Sequence, residues 1–251
     1  MRYTVKSDVG KKRVINEDRA AFFERSENLK LAILADGMGG HNAGDVASDM
    51  AVTHFEKYFN EADASIFESE DSIKEWLLQS VSTLNYEMFQ YSLTHENCRG
   101  MGTTLIVAVI INNKQIIVSH VGDSRVYTFT NDETSLITRD HSYVNMLLEL
   151  GQISEEEARM HPKKNAILKA VGTESTIAPD FYKVIIINPM HVLICSDGLS
   201  NKLSEGEIAA ILALSLSLEE KGQKLVQLAN DSGGEDNISF VLICFDETEV
   251  E

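Results

Sequence analysis

Asp residues in this chain recur where an apolar run meets a glycine or a polar turn: Asp36 before Gly37, Asp123 after Gly122, Asp197 before Gly198, and Asp236 just ahead of the run 238–245. Glu17 and Asp18 close a polar stretch, 8–18, that also holds the isolated cation Arg13. Carboxylates and bare backbone carbonyls are oxygen donors, which suit a hard cation at short range. With no Cys or His at ligand spacing, the donor set points to Mg²⁺ or Mn²⁺ and not to zinc. One Asp-Gly pair is an ordinary turn; the weight comes from the same device standing at several strand ends. Carboxylates crowded together repel, so they need cations between them or must take up protons.

Other chemistries are excluded by pattern. The glycines at 37, 39, 40 and 44 miss the dinucleotide fingerprint because position 42 is Asn, and miss the P-loop because Gly44 is followed by Asp45. No D-x-[DN]-x-[DN]-G calcium loop and no G-x-S-x-G nucleophile turn occurs.

The elements that must hold these acids follow from periodicity. Strands are expected at 3–5, 19–24, 29–35, 102–111, 115–121, 126–129, 135–138, 181–187, 192–195 and 238–245. The run 29–35 is expected to stop at Asp36-Gly37. Helical spacing starts near Asn42 and runs through Ala47, Met50, Ala51, His54, Phe55 and Tyr58, with His54 on the packed face. A second helix is expected over 72–91, with Ile73, Trp76, Leu77, Val81, Leu84 and Met88 on one side. Within 140–172, Ser142 caps one short helix, and Ser154 with Glu157 forms a capping box for another, which Pro162 stops. This segment is expected to be a surface flap, with His141, His161 and Asn165 as its structure. Ser204 with Glu207 and Ser217 with Glu220 open two more helices.

The chain has 251 residues, 43% of them hydrophobic, and a formal net charge of −17. That length supports one domain with a sizeable core. The charge argues against nucleic acid or an anionic membrane as partner. No apolar run reaches the length of a membrane span, and the start lacks the apolar region of a secretory signal. Cys98, Cys195 and Cys244 contain no Cys-x-x-Cys and fit a reduced, cytoplasmic protein.

In order along the chain stand D8-x-G-x-x-R13-x-x-N16-E17-D18, D36-G-M-G-G, G102-T-T, G122-D-S-R, D140-H-S, H161-P, S196-D197-G-L and E235-D236-N-I. Together, over 8–238, they resemble the bacterial members of the metal-dependent PPM family, the protein phosphatase 2C-like Ser/Thr phosphatases. The resemblance implies an α+β fold, an α-β-β-α sandwich of two antiparallel sheets flanked by helix pairs, in a single domain 1–251 with its flap at about 140–172. It also implies two Mn²⁺ or Mg²⁺ ions. Asp36 would bridge them, the Gly37 carbonyl would ligate one, and Asp197 and Asp236 would hold the other. Glu17 and Asp18 would act through water, and Asp123 would serve a third, weaker site. Arg13 would grip the substrate phosphate, its fork matching the oxygens. A metal-activated water would attack phosphorus directly, with no phosphoenzyme.

Phosphorylated Ser/Thr proteins are the expected partners, with a cognate bacterial Ser/Thr kinase opposing the enzyme, and the chain is expected to be a monomer. Met38 stands where many relatives carry His, and a thioether donates no proton; His41 and metal-bound water are the candidates for the general acid. The rival reading is a non-catalytic binding module on the same fold.

Overall fold

Runs such as 31–35 and 105–111 are apolar at every position, so both of their faces have to be covered. The computed structural model, which describes residues 1–40 and 43–246, covers them with a second sheet on one side and helices on the other. The strands are β1 (Arg2–Asp8), β2 (Asp18–Ser26), β3 (Leu29–Met38), β4 (Gly102–Thr103), β5 (Leu105–Ile111), β6 (Gln115–Val121), β7 (Arg125–Phe129), β8 (Thr134–Leu136), β9 (Asp180–Ile185), β10 (Met190–Cys195) and β11 (Ile238–Phe245). The helices are α1 (Ala43–Glu61), α2 (Glu70–Thr94), α3 (Tyr143–Glu149), α4 (Glu155–Met160), α5 (Asp197–Ser200), α6 (Glu205–Leu212) and α7 (Leu218–Asp231). One sheet has the order β1-β11-β10-β7-β8, and the other β2-β3-β5-β6-β9 with β4 against the end of β3. Every pairing is antiparallel.

Alternation decides which layer each side chain joins. On β3, Ala32 and Leu34 pack between the sheets with Ile106, Val192, Ile194 and Val241. Leu31, Ile33 and Ala35 pack outward under α1 and α2, against Phe55, Phe59, Leu77 and Leu84. The other sheet turns Leu193, Cys195, Phe240 and Leu242 towards α6 and α7, where Ile208 and Leu225 meet them. The result is the expected α-β-β-α sandwich. Burying a side chain such as Phe55 contributes roughly 1.5–3 kcal/mol, so the three apolar layers fix the strand ends firmly.

Several local expectations are met. His54 is buried, stacks on Tyr58 at 4.0 Å and meets Glu87 at 3.2 Å; Trp76 packs against Phe55, Phe59 and Phe67. The three capping boxes form, and the three cysteines are free and buried. Others are corrected. β3 does not stop at Ala35 but runs through Asp36-Gly37 to Met38, because β4 pairs with its end. The run 102–111 breaks at Thr104: its N–H still donates to the Asp36 carbonyl on β3, but its hydroxyl, in place of its carbonyl, accepts the Asp36 N–H. The second helix starts at Glu70 behind Ser69, not at Ser72, since the Ser69 hydroxyl accepts the Ser72 N–H. The last strand of the first block is Thr134–Leu136, shorter at its far end than 135–138, because the Thr138 hydroxyl, not a backbone carbonyl, accepts the Val126 N–H. The expected helix start at Asn42 lies outside the described residues. Among the described residues no helix is long and apolar enough to cross a membrane.

Candidate metal centre

The antiparallel registers bring the acids to one edge. Asp18 opens β2 directly opposite Asp36 on β3, and β11 begins at Ile238 opposite Asp8 on β1. β10 ends at Cys195 beside Phe240, so Asp197 and Asp236 come to the same edge from the other sheet. Asp36 has both backbone groups satisfied by Thr104: its N–H donates to Oγ1 at 3.1 Å, and its carbonyl accepts the Thr104 N–H at 2.9 Å. Its carboxyl lies within reach of the charges of Asp18, Asp197, Asp123 and Asp236.

Charge in the cleft is one-sided. The Asp36 carboxyl is pushed well above the usual carboxylate range, first by burial and then by the charges of Asp18, Asp197, Asp123 and Asp236. Asp18 is 1% exposed; burial raises its pKa to about 6, against the pull of the Ser196 hydroxyl, which donates to it at 2.7 Å. Burial and then Asp236 raise Asp197 to about 6, and burial and then Asp197 raise Asp123 to about 7. The cations that answer them are Arg125, which opposes the shifts of Asp197 and Asp123, and Arg13, which lies 3.0 Å from Asp236 and 3.9 Å from Glu17 on a loop at the cleft mouth. The Arg13 guanidinium remains about half exposed, and Val14 beside it is 95% exposed.

Glu17 is held by backbone. Its N–H donates to Asn237 Oδ1 at 2.8 Å, its carbonyl accepts the Gly37 N–H at 3.1 Å, and its Oε1 accepts the Gly44 N–H at 3.2 Å. A Cβ on Gly37 would lie 1.9 Å from the Gly44 carbonyl oxygen, so only glycine lets β3 pass there. Asn237 is a residue whose importance the sequence did not disclose. Its Nδ2 donates to the carbonyls of Val9 and Ile15 at 2.9 and 3.0 Å, which pins the loop carrying Arg13. Its place directly after Asp236 was the available signal.

Asp123, expected either as a turn residue or as a cation ligand, is 8% exposed, and its Oδ1 is buried without a hydrogen-bond partner. Of the residues expected to be flap structure, His161 accepts the Lys163 N–H locally and Asn165 is exposed, but His141 reaches the turn at Gly122. Met38 ends β3, and the expectation for His41 lies outside the described residues.

The donor set fits a hydrated divalent cation. Among the described residues no three His, Cys, Asp or Glu side chains close into an all-protein cage. Mg²⁺ is commonly bound by one or two carboxylates while keeping several waters, and oxygen donors suit Mn²⁺ as well. The excess of acid over Arg13 and the orphaned Asp123 oxygen are what such ions would satisfy.

The model of the family described as protein phosphatase 2C matches residues 11–239. A serine/threonine phosphatase, stp, of Listeria monocytogenes serotype 4b (strain F2365) is 40% identical over 97% of this chain and 96% of its own. The protein phosphatase PhpP of Streptococcus pneumoniae serotype 2 (strain D39 / NCTC 7466) is 40% identical over the full length of both. Among solved structures, the S. agalactiae serine/threonine phosphatase superposes with a TM-score of 0.91 at 38% identity, covering 96% of this chain and 98% of that one. The catalytic domain of the serine threonine protein phosphatase PstP, in complex with two manganese ions, superposes at 0.81 with 29% identity, covering 96% of each chain. The family model over most of the chain, relatives over its whole length and the same sandwich agree, and the chain belongs to the protein phosphatase 2C family of bacterial serine/threonine phosphatases.

Proposed function

We propose that this chain hydrolyses phosphoserine and phosphothreonine in proteins at a centre of two Mn²⁺ or Mg²⁺ ions, opposing a bacterial Ser/Thr kinase. The observation that carries the reading is the group of carboxylates around Asp36, which the protein itself answers with Arg13 and with Arg125, a guanidinium already paired to Asp140. Uncompensated buried charge is costly, and a fold keeps it where a ligand of opposite sign is due. Asp36, central to the group, is assigned to both cations, with the Gly37 carbonyl on one and Asp197 and Asp236 on the other. Glu17 and Asp18 would act on them through water. Asp123 is assigned to a third, weaker cation. When bound, the ions supply Lewis acidity: a water made acidic enough to attack near neutral pH, and relief of the charge that develops on phosphoryl oxygens.

The chain's own residues do the rest. Arg13 binds the phosphate. Its present partner, Asp236, is also assigned to a cation, and sharing that carboxylate leaves the guanidinium fork free to turn to phosphoryl oxygens. Asn237 keeps Arg13 and Glu17 in register by pinning their loop. The family match over 11–239 supports taking 1–251 as one phosphatase domain with the flap at 140–172, and the free, buried thiols support a reducing compartment.

The deciding experiment strips the protein with EDTA and measures hydrolysis of an aryl phosphate and of a phosphothreonine peptide. Turnover should vanish and return with Mn²⁺ or Mg²⁺. Full activity in excess chelator would exclude the two-metal reading. Stoichiometric metal binding without turnover on either substrate would convert it to a binding module.

A further inference from the structure

The turn 122–125 between β6 and β7 is held at every residue but one. Gly122 has φ +109°, and a Cβ on it would lie 2.6 Å from Thr104, the residue that also satisfies Asp36. Its N–H donates to His141 Nδ1 at 3.1 Å, and its carbonyl accepts the His141 N–H at 2.8 Å. The Ser124 hydroxyl is 2.7 Å from that of Thr104, and its carbonyl accepts from His120 Nε2 at 2.9 Å. Arg125 forks onto Asp140, with Nη2 to Oδ2 at 2.6 Å and Nε to Oδ1 at 3.0 Å. Asp123 alone is left over, buried and with Oδ1 unpartnered.

The clamp reaches the turn from the segment 140–172. Because His141 Nδ1 accepts from Gly122, the ring proton sits on Nε2 and is donated to Asp180 Oδ2 at 3.1 Å. The segment closes into a loop at this same residue. The Leu168 N–H donates to the His141 carbonyl at 2.7 Å, and the Tyr143 N–H to the Ala166 carbonyl at 2.8 Å. Lys169, on the way out, comes within 3.9 Å of the same Asp180. Whatever displaces the neck of this loop therefore pulls on Gly122, one residue from Asp123.

We propose that His141, backed by Asp180, is a positioning residue for Asp123: it grips the turn at Gly122 so that the free carboxylate oxygen of Asp123 is presented to the third, weaker cation. The proposal rests on reading Asp123 as a cation ligand. By linkage, a cation held there resists displacement of the loop neck, and displacement weakens the cation.

The test titrates Mn²⁺ into the full chain by calorimetry and electron paramagnetic resonance, comparing wild type with His141→Phe, Asp180→Ala, Asp180→Asn and Asp123→Ala. Losing hydrogen bonds that fix a ligand should weaken the weakest binding event about tenfold in His141→Phe and Asp180→Ala. The two tighter events should stay within about twofold of wild type, which also shows that the variants fold. Asp180→Asn still accepts from Nε2 and should retain the wild-type constant. Amide exchange at Gly122, read without metal, should be faster in His141→Phe. If Asp123→Ala removes the weak event while His141→Phe and Asp180→Ala leave it untouched, the ligand stands and the clamp is overturned. If Asp123→Ala leaves the weak event intact, the reading of Asp123 has failed, and the clamp's role with it.

Discussion

Two groups of buried charge lie side by side in this protein and are resolved in opposite ways. Arg125 and Asp140 are mostly buried, and each answers the other through three hydrogen bonds. Burial works against the Arg125 charge, yet the bonds to Asp140 outweigh it and hold the guanidinium above its ordinary pKa. Around Asp36 there is no such exchange: burial and the surrounding carboxylates all push its carboxyl in one direction. A pair that closes on itself is a structural device. A group that remains one-signed is built for something the chain does not supply. Similar burial with opposite bookkeeping separates scaffold from site.

The largest expected effect breaks the open group. Asp36→Asn removes charge and little volume, so turnover in saturating Mn²⁺ should fall about a thousandfold, or about 4 kcal/mol. Without divalent cations the same variant should melt no lower than wild type, because it removes an uncompensated buried charge. Turnover near wild type, or a markedly lower melting temperature in chelator, would mean that Asp36 belongs with the structural pairs.

The closed pair should behave in reverse. Arg125→Ala leaves Asp140 buried and unpaired, which should cost about 3 kcal/mol of stability by denaturant unfolding, at low and high Mn²⁺ alike. Replacing only the charge, as in Arg125→Met with Asp140→Leu, should recover most of that loss. If the single variant unfolded at the wild-type denaturant midpoint, the pair would not be the structural element the comparison requires.

How much of this was legible depends on the range of the signal. The sandwich was, because apolar runs at 31–35, 105–111 and 238–245 leave few ways to cover both faces, and capping boxes mark helix starts by local chemistry. The acids were legible from their recurrence at strand ends, and their convergence required only antiparallel registers. What sequence could not disclose were contacts between distant residues. The Thr104 hydroxyl takes the Asp36 N–H in place of a backbone carbonyl and breaks a run that is continuous in sequence. Asn237 binds two carbonyls more than two hundred positions away. His141 looked like flap structure, since nothing near it in sequence shows that Gly122 is its partner. α5 was missed because a single turn, Asp197–Ser200, is too short to carry a period.

Arg13 sharpens the comparison from the open side. It is the cation nearest the carboxylates, but it is half exposed and anchored mainly by Asp236. Arg13→Ala should therefore leave stability and tight Mn²⁺ binding close to wild type while raising KM for a phosphothreonine peptide. Loss of a hydrogen bond to a charged group corresponds to roughly 1.5–3 kcal/mol, about ten- to a hundredfold in kcat/KM. An unchanged kcat/KM would make Arg13 a surface counter-ion and nothing more.

The smallest effect concerns a third way of handling burial, at the far end of β10 from Asp197. His191 packs there with Nε2 buried and unpartnered, and burial, with Lys221 adding to it, lowers its pKa to about 4. It needs neither a partner nor a ligand, because an imidazole can simply stay neutral. The cost appears only in acid. Above about pH 6.5 both folded and unfolded chains carry the neutral ring, and His191 contributes no pH dependence. Between about 6.5 and 4 the unfolded chain binds a proton that the folded chain refuses, so stability falls as pH falls, and the loss is complete below the folded value. Because the ring is only half-buried, solvent screening reduces the effect to about 1 kcal/mol. His191→Gln should match wild type at pH 7.5 and lose less stability than wild type by pH 4.5, read as converging denaturant midpoints at one pH and separated ones at the other. Parallel curves for the two proteins across that window would show that the ring accepts its proton in the folded state, and that this end of the strand tolerates charge after all.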